Sequence, residues 1–389
     1  MKKRVLAIVS VLLVMCFALS ACVAKTVGQE TTVPDSEETV TNTETTVPDS
    51  EEKGMNIMFV VTGNLGGGTN NDDVYAAIKD YVGNNGNVDT FECNMDTSLY
   101  ESTLMQAAES GQYDLIVTGF GTMVEPLGNT AAKFPNQKFF IFDTAMPFED
   151  GKNANVMSVQ VLQNEGGFLV GALAALMTQS TDCEFSNADK KVGYVGAIES
   201  TAILDFLMGY IEGVKYVDTS VEVLYSFVGD HKDSAKTKEL ATALYDNGAD
   251  IIFAVSASDL AVADAALEKN AYAICVDADE ATKIAATSPE TANHIVTSVV
   301  KDYYQMVYPI LVSIGDGTAQ WGTHKYITYA EGGVIVADNE YFRSIVPTSV
   351  MTEYDKIVED FKAGKITVST AYGASTDDIK AVTDLAPAY

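Results

Sequence analysis

The chain has 389 residues and a formal net charge of −30 at pH 7, from 24 Lys and Arg against 54 Asp and Glu. Its hydrophobic content of 47% is enough for a large packed core, which excludes a globally disordered protein. Nucleic-acid binding and electrostatic docking on anionic lipid both require a basic face, so this charge excludes both.

The N-terminus predicts a lipoprotein signal peptide over residues 1–22. Residues 2–4 are basic and precede an apolar run, 5–19, that is too short to span a bilayer. The run leads into the sequence LSAC, which is similar to a bacterial lipobox, so Cys22 is the predicted lipidation site. The alternative is an ordinary secretory signal in which Cys22 is incidental. We expect a lipid-anchored protein on the extracytoplasmic face of the cell membrane, because two or more acyl chains anchor stably.

Residues 23–54 are predicted to be a disordered linker. The acidic octet TTVPDSEE occurs at 31–38 and again at 45–52, and the segment has no aromatic residue. Such a composition cannot bury enough apolar area to fold. The folded domain is therefore expected within residues 55–389.

From residue 55 onward, short apolar runs alternate with helical patterns, which is typical of parallel β-α-β units. The runs form two series. The apolar segment 166–177 between them is too short to span a membrane and is predicted to be a buried helix. The sequence thus predicts two doubly wound α/β lobes with parallel sheets. The predicted strands are 55–62, 88–93, 114–119, 138–143, 155–161, 191–196, 221–227, 250–256 and 272–277. The predicted helices are 73–82, 100–110, 122–133, 200–217, 233–246 and 258–269.

Polar residues follow several of these strands, at the ends where open parallel sheets bind their ligands. Asp143, Glu199, Ser256 and Asp277 stand at or just after strand ends and are candidate ligand-binding residues. For each of them, helix N-capping is the alternative role. Lys301 follows two valines, and we expect it to begin a helix that leaves a strand and faces the region between the lobes. There it is either a buried counter-charge to the acids or an ordinary lysine on a helix face.

The sequence offers little to support catalysis or a cofactor. The glycine-rich loop 61–72 has neither the G-K-[ST] of a phosphate-binding loop nor the spacing G-x-G-x-x-G, so no cofactor is predicted. The sequence contains neither H-E-x-x-H nor G-x-S-x-G. Cys93, Cys183 and Cys275 are isolated thiols that form no zinc-binding or disulfide pattern. We therefore predict neither an enzyme nor a metal site.

From about residue 55 to the C-terminus, the chain resembles the basic membrane protein (Med-type) substrate-binding lipoproteins of ABC importers, whose best-known members bind purine nucleosides. The likeness rests on ordered segments, among them KFFIFDTAMP (138–147), KVGYVGAIES (191–200) and GTHKYITYAEGGV (322–334). It implies a type I periplasmic-binding-protein fold, in which two lobes joined by a three-strand hinge close on a ligand. It also implies a monomer that delivers its ligand to an ABC permease.

The resemblance further implies how the two lobes share the chain. The chain is expected to cross between the lobes near residue 161, near residue 300 and within 330–340. Lobe 1 then comprises about 55–161 and 300–335, and lobe 2 comprises about 162–299 with the C-terminal part.

Individual binding residues can be transferred from the family only in part. Asn71 stands at the position of a family asparagine, whereas Asn70 replaces a phenylalanine that stacks on the ligand. His231 occupies the position of a second aromatic stacking residue. The acids that the resemblance expects to bind ligand hydroxyls are retained, whereas both positions of the aromatic stacking residues carry other side chains. Four charged residues match the family pattern after their strands: Asp143, Glu199, Asp277 and Lys301.

The resemblance implies a lipid-anchored solute-binding protein of an ABC importer, with a nucleoside as the expected small polar ligand. Three alternatives remain open from the sequence. The same fold could serve as a surface ligand sensor, it could have acquired a sugar-like specificity, or it could support an enzyme such as a nucleosidase.

Overall fold

The computed structural model describes residues 54–386. The predicted signal peptide with Cys22 and the linker up to residue 53 lie outside the described residues, so both stay predictions. Within the described part, no helix is long and apolar enough to cross a membrane. The thiols of Cys93, Cys183 and Cys275 are buried and free.

The strands of this part form two six-stranded sheets, ordered β11-β5-β4-β3-β1-β2 and β12-β10-β9-β8-β6-β7. All neighbours pair in parallel except β10 and β12, which are antiparallel. The predicted α/β class with parallel-dominated sheets is therefore confirmed. In chain order the strands are β1 (Asn56–Val61), β2 (Asn87–Glu92), β3 (Leu115–Gly119), β4 (Lys138–Phe142), β5 (Val156–Val161), β6 (Lys191–Gly196), β7 (Glu222–Phe227), β8 (Ala249–Val255), β9 (Tyr272–Val276), β10 (Ile295–Lys301), β11 (Thr323–Ile327) and β12 (Val334–Val336).

Helices cover both faces of the sheets, and the central strands are accordingly apolar, whereas the edge strands β2 (NVDTFE) and β11 (THKYI) are largely polar. In chain order the helices are α1 (Asn70–Val82), α2 (Tyr100–Ser110), α3 (Val124–Lys133), α4 (Gln163–Thr178), α5 (Thr201–Val217), α6 (Ser234–Asp246), α7 (Leu260–Lys269), α8 (Glu280–Ile284), α9 (Pro289–Ala292), α10 (Tyr303–Gly315), α11 (Glu340–Ile345), α12 (Thr348–Lys362) and α13 (Thr376–Thr383). Short 3₁₀ turns occur at Thr97–Leu99, Gly121–Met123 and Glu149–Gly151.

The N-terminal ends of two helices differ from the sequence prediction because of capping. Helix α1 begins at Asn70 rather than near residue 73, since Asp72 folds back and accepts the Thr69 amide at 2.7 Å. The expectation that Lys301 begins a helix is wrong. Lys301 is the last residue of β10, and Asp302 caps α10 by accepting the Gln305 amide at 2.8 Å.

Helix α4 confirms the predicted buried helix at 166–177, since nearly all of its residues are buried. It packs along α5, and glycines let the two backbones approach closely. A Cβ added at Gly209 would lie 1.9 Å from the carbonyl oxygen of Asn164, and one at Gly213 would lie 2.0 Å from that of Phe168. The α4–α5 pair therefore forms a tightly fixed part of the core of the second sheet.

The chain passes between the two sheets three times. It leaves β5 at Leu162 to form α4, it leaves β10 to form α10, and it passes from β11 to β12 through residues 328–333. Helix α10 packs on α1 and so returns to the first sheet. We call β1–β5, β11, α1–α3 and α10 lobe 1, and the remaining elements lobe 2.

Candidate functional site

A buried ion pair joins the two lobes at the carboxyl ends of their strands. Lys301 ends β10 of lobe 2, and Asp143 follows β4 of lobe 1. The Lys301 Nζ lies 3.3 Å from Oδ1 and 3.4 Å from Oδ2 of Asp143, with side chains only 12% and 9% exposed. Tyr303, at the start of α10, donates its hydroxyl to Asp143 Oδ2 at 2.8 Å. Of the two roles considered for Lys301, the structure shows the buried counter-charge.

Asp277 stands at the end of β9 beside this pair. Its side chain makes no hydrogen bond or ion pair with any residue of 54–386, and part of its surface is open to solvent. The protein around it raises the pKa of its carboxyl through desolvation; nearby Lys301 opposes that rise and Asp143 adds to it. Burial works against the charge of Lys301, but Asp143 and Asp277 outweigh it and hold the lysine pKa above its usual value. One cation thus serves two carboxylates, only one of which it contacts.

The backbone is strained at three of these strand ends. Phe120, Asp143 and Asp277 follow β3, β4 and β9 with φ of +70°, +53° and +66°, although none is a glycine. Residues with positive φ are uncommon outside glycine, and such strain tends to cluster at ligand-binding sites. Phe120 satisfies the same strand-end rule as Asp143 and Asp277, but a rule restricted to polar residues does not select it.

The glycine-rich loop after β1 has a fixed shape. Asp72 accepts the Gly66 amide at 2.6 Å in addition to that of Thr69, and these bonds lower its pKa. The Leu65 amide donates to Glu92 Oε2 at 3.0 Å. The loop is thus held by carboxylates of the protein itself.

This loop leads into the two predicted asparagines, which have different surroundings. The Asn70 side chain lies near the hydroxyl of Tyr303, the residue that donates to Asp143. Asn71 is buried, and its side-chain oxygen has no partner among residues 54–386. The structure therefore places Asn70 near the charged cluster and buries Asn71.

The other predicted site residues lie after three further strands of lobe 2. Glu199 and His231 are exposed in the turns after β6 and β7. Ser256 is buried after β8, where its hydroxyl donates to the His231 carbonyl at 3.1 Å and lies 2.9 Å from the Ser258 hydroxyl. Ser256 thus fixes the His231 loop. No hydrogen bond or ion pair of the described residues connects these residues with Lys301.

The chemistry of the charged cluster suits a polar organic ligand. Carboxylates accept hydrogen bonds from hydroxyl or N–H groups, and a lysine ammonium donates to an acceptor. Within residues 54–386, no group of three or more His, Cys, Asp or Glu side chains is arranged to hold a metal ion. A cavity of about 710 Å³ between α3 and residues 147–155 contains none of the predicted site residues, so its size does not bear on this chemistry.

Comparison with known proteins gives consistent matches. The sequence profile of the Bmp family, described as ABC transporter substrate-binding protein PnrA-like, matches residues 55–364. The ABC transporter nucleoside-binding protein BmpA of Lactococcus lactis subsp. cremoris is 28% identical over 280 residues, which are 69% of this chain and 74% of that protein. Basic membrane protein D of Borreliella burgdorferi is 26% identical over 194 residues, which are 49% of this chain and 52% of that protein.

Solved structures show the same fold at lower identity. A solute-binding protein of an ABC transporter system from Aeropyrum pernix K1 matches with a TM-score of 0.65 at 20% identity, covering 85% of this chain and 97% of that one. A second such protein, from Conexibacter woesei, matches with a TM-score of 0.62 at 20% identity, covering 82% and 99% of the two chains. These matches confirm the type I periplasmic-binding-protein fold.

Proposed function

The chain belongs to the PnrA-like family of ABC transporter substrate-binding proteins, and we propose that it captures a nucleoside outside the cytoplasm and delivers it to an ABC permease. The family consists of substrate-binding proteins rather than enzymes. Anchoring through a lipid on Cys22 is part of the proposal and derives from the lipobox-like sequence alone.

The observation that carries the proposal is the cation that two aspartates share at the junction of the lobes. Lys301 and Asp277 come from the second sheet and Asp143 from the first. A ligand that contacts all three must touch both lobes, so its affinity is higher for the closed arrangement and it shifts the open–closed balance. Asp277 is the only one of the three without a protein partner among the described residues, and we assign it to the ligand hydroxyls.

The choice of a nucleoside draws on the nucleoside-binding relative BmpA. Ribose hydroxyls suit carboxylate acceptors such as Asp277, because each hydroxyl supplies a donor. A sugar remains the second candidate, since Asn70 and His231 stand where the resemblance expects aromatic residues that stack on a base.

A thermal-shift panel tests the proposal on the purified protein. The panel contains inosine, guanosine, uridine, free bases, ribose and arabinose. A nucleoside at 100 times its Kd should add about 2.7 kcal/mol of stability, which raises the unfolding midpoint. Asp277→Asn should remove the response, whereas Asp355→Asn, an exposed acid of α12, should preserve it. A response to free sugars without any response to nucleosides would contradict the proposal.

A further inference from the structure

Phe120 has a backbone conformation that only glycine adopts readily. Its φ of 70° and ψ of 157° place it in a region where a side chain meets the neighbouring backbone. Glycines occupy positions 119 and 121 on either side, yet neither has a positive φ. The strain therefore falls on the one residue of the three that carries a large side chain.

Hydrogen bonds hold Phe120 in this conformation. Its amide donates to the carbonyl oxygen of Phe142 at 2.9 Å, and its own carbonyl oxygen accepts the Met123 amide at 3.0 Å. Such strain persists only where the surrounding structure imposes it, and at binding sites it commonly serves to aim a side chain.

The Phe120 ring lies beside the charged cluster. It packs edge-on against Phe142 with ring centroids 5.3 Å apart, and its centroid is 6.2 Å from that of Tyr303. The ring is only half-buried, so part of it stays accessible at the carboxyl end of β3. Tyr303 is the residue whose hydroxyl donates to Asp143 and lies near the Asn70 side chain. Phe120 and Asn70 thus approach one tyrosine, Phe120 at its ring and Asn70 at its hydroxyl.

We propose that Phe120 is the surface on which a planar ring of the ligand stacks in lobe 1. The ligand is then a flat heteroaromatic ring that carries a polyhydroxylated group, with the ring on Phe120 and the hydroxyls at Asp277. This inference rests on the proposed function and adds the residue that selects for the ring.

Isothermal titration of inosine into four proteins tests the inference: the wild type, Phe120→Tyr, Phe120→Leu and the control Phe134→Leu. Phe134 is also half-buried in lobe 1 but lies at the end of α3, in a different cluster. Phe120→Leu should lower the affinity by about 10- to 100-fold, the range expected for losing one base–aromatic stack. Phe120→Tyr and Phe134→Leu should stay within about twofold of the wild type, because both keep the aromatic surface at position 120.

Phe120→Gly adds a measurement that needs no ligand. Glycine relieves the backbone strain, so the midpoint of the ligand-free variant should be at least as high as that of Phe120→Leu, which keeps the strain. Its affinity for inosine should fall as far as that of Phe120→Leu.

The outcomes separate this inference from the proposed function. If the wild type binds inosine and Phe120→Leu binds it equally well, the stacking role is wrong and the proposed function stands. A loss in Phe120→Tyr as large as that in Phe120→Leu would show a packing role and overturn the inference. If the wild type binds sugars but no nucleoside, the nucleoside proposal and the stacking role both fail.

Discussion

Each sheet has an aspartate directly after the strand that is third from one edge. One of the two carboxylates is bonded by protein groups, and the other is not. Strands β4 and β9 are each third from the edge of their sheet, and each is followed by an aspartate with positive φ. Asp143 is 9% exposed and is bonded by Lys301 and Tyr303. Asp277 is open to solvent and has no side-chain partner among the described residues.

The difference lies in whether protein groups already satisfy the carboxylate. The carboxylate of Asp143 is already satisfied by protein groups, so it stabilises the junction of the lobes. Asp277 keeps its acceptor capacity free while the same lysine stabilises its charge from nearby. Of two acids at equivalent positions of the two sheets, one is thus bonded by protein groups and the other has no side-chain partner among the described residues.

Removing the shared cation should have the largest effect. Lys301→Met leaves Asp143 buried without its counter-ion, and breaking a buried pair in this way costs about 3–5 kcal/mol. Urea denaturation of the ligand-free protein measures this loss directly, and the variant should also fail to respond to inosine. A variant as stable as the wild type would show that Lys301 contributes only to ligand binding.

Three buried aspartates of lobe 2 accept hydrogen bonds only from neutral groups. They therefore show how burial affects a carboxylate that has no cationic partner in contact. Desolvation by burial raises the pKa of Asp205 and of Asp250 from 3.8 to about 6, and that of Asp259 from 3.8 to about 7. Between these values the native protein binds more protons than the unfolded chain, so stability falls as pH rises from 4 to 7. A carboxyl whose pKa is raised by about 2 on folding changes the free energy of unfolding by about 3 kcal/mol across this pH range.

Urea denaturation at pH 5 and pH 7 should therefore find the ligand-free protein more stable at pH 5. Acids with lowered pKa, such as Asp72, lose their contribution only below pH 4 and do not reverse this trend. Asp250→Asn should flatten the dependence, because the amide replaces an acid that is 2% exposed and accepts bonds from Thr178 and Asn187. Stability that increases toward pH 7 would contradict the raised pKa values of the three buried aspartates.

The two equivalent aspartates themselves give the next test. Asp143→Asn should lower stability by about 1.5–3 kcal/mol, the range for hydrogen bonds to charged groups, because it weakens the bonds from Lys301 and Tyr303. Asp277→Asn should not lower stability, since the neutral amide removes an acid that desolvation disfavours. Both variants should lose ligand binding. Equal stability losses would show that the two acids are structurally alike and would break the comparison.

Much of this arrangement follows from local sequence, and the rest depends on distant contacts. The apolar runs and the strand-end rule predict both aspartates, because burial and the direction of parallel strands are local properties. The pairing of Lys301 with Asp143 joins residues 158 positions apart, so no pattern near either residue reveals it. Strand β11 is absent from the sequence prediction, since THKYI is polar and becomes a strand only by pairing with β5.

The C-terminal segment shows the same limit. The family profile ends at residue 364, yet Ala371 and Val382 beyond it belong to the core of lobe 2. The segment is held by Asp205 of α5, which accepts bonds from the Thr370 hydroxyl at 2.6 Å and the Ala371 amide at 2.8 Å. A fully buried aspartate in the apolar stretch 202–211 of α5 gives no signal of the distant partner that it serves.

The smallest effect comes from two tyrosines that extend the contrast between partnered and unpartnered groups. Tyr194 and Tyr210 are both fully buried and pack against Phe253. The Tyr194 hydroxyl donates to the Ile203 carbonyl at 2.7 Å, whereas that of Tyr210 has no partner among residues 54–386. Tyr194→Phe should cost about 0.5–1.5 kcal/mol, the net value of one hydrogen bond, while Tyr210→Phe should be neutral or stabilising.

Urea denaturation of the two variants side by side measures this difference, because both substitutions remove one buried hydroxyl and change no other group. A loss in Tyr210→Phe as large as that in Tyr194→Phe would mean that the Tyr210 hydroxyl has a partner, such as a buried water. The contrast between partnered and unpartnered polar groups, which separates Asp143 from Asp277, would then not apply to the two tyrosines. A loss confined to Tyr194 would extend that rule from the charged groups between the lobes to neutral groups in the interior of lobe 2.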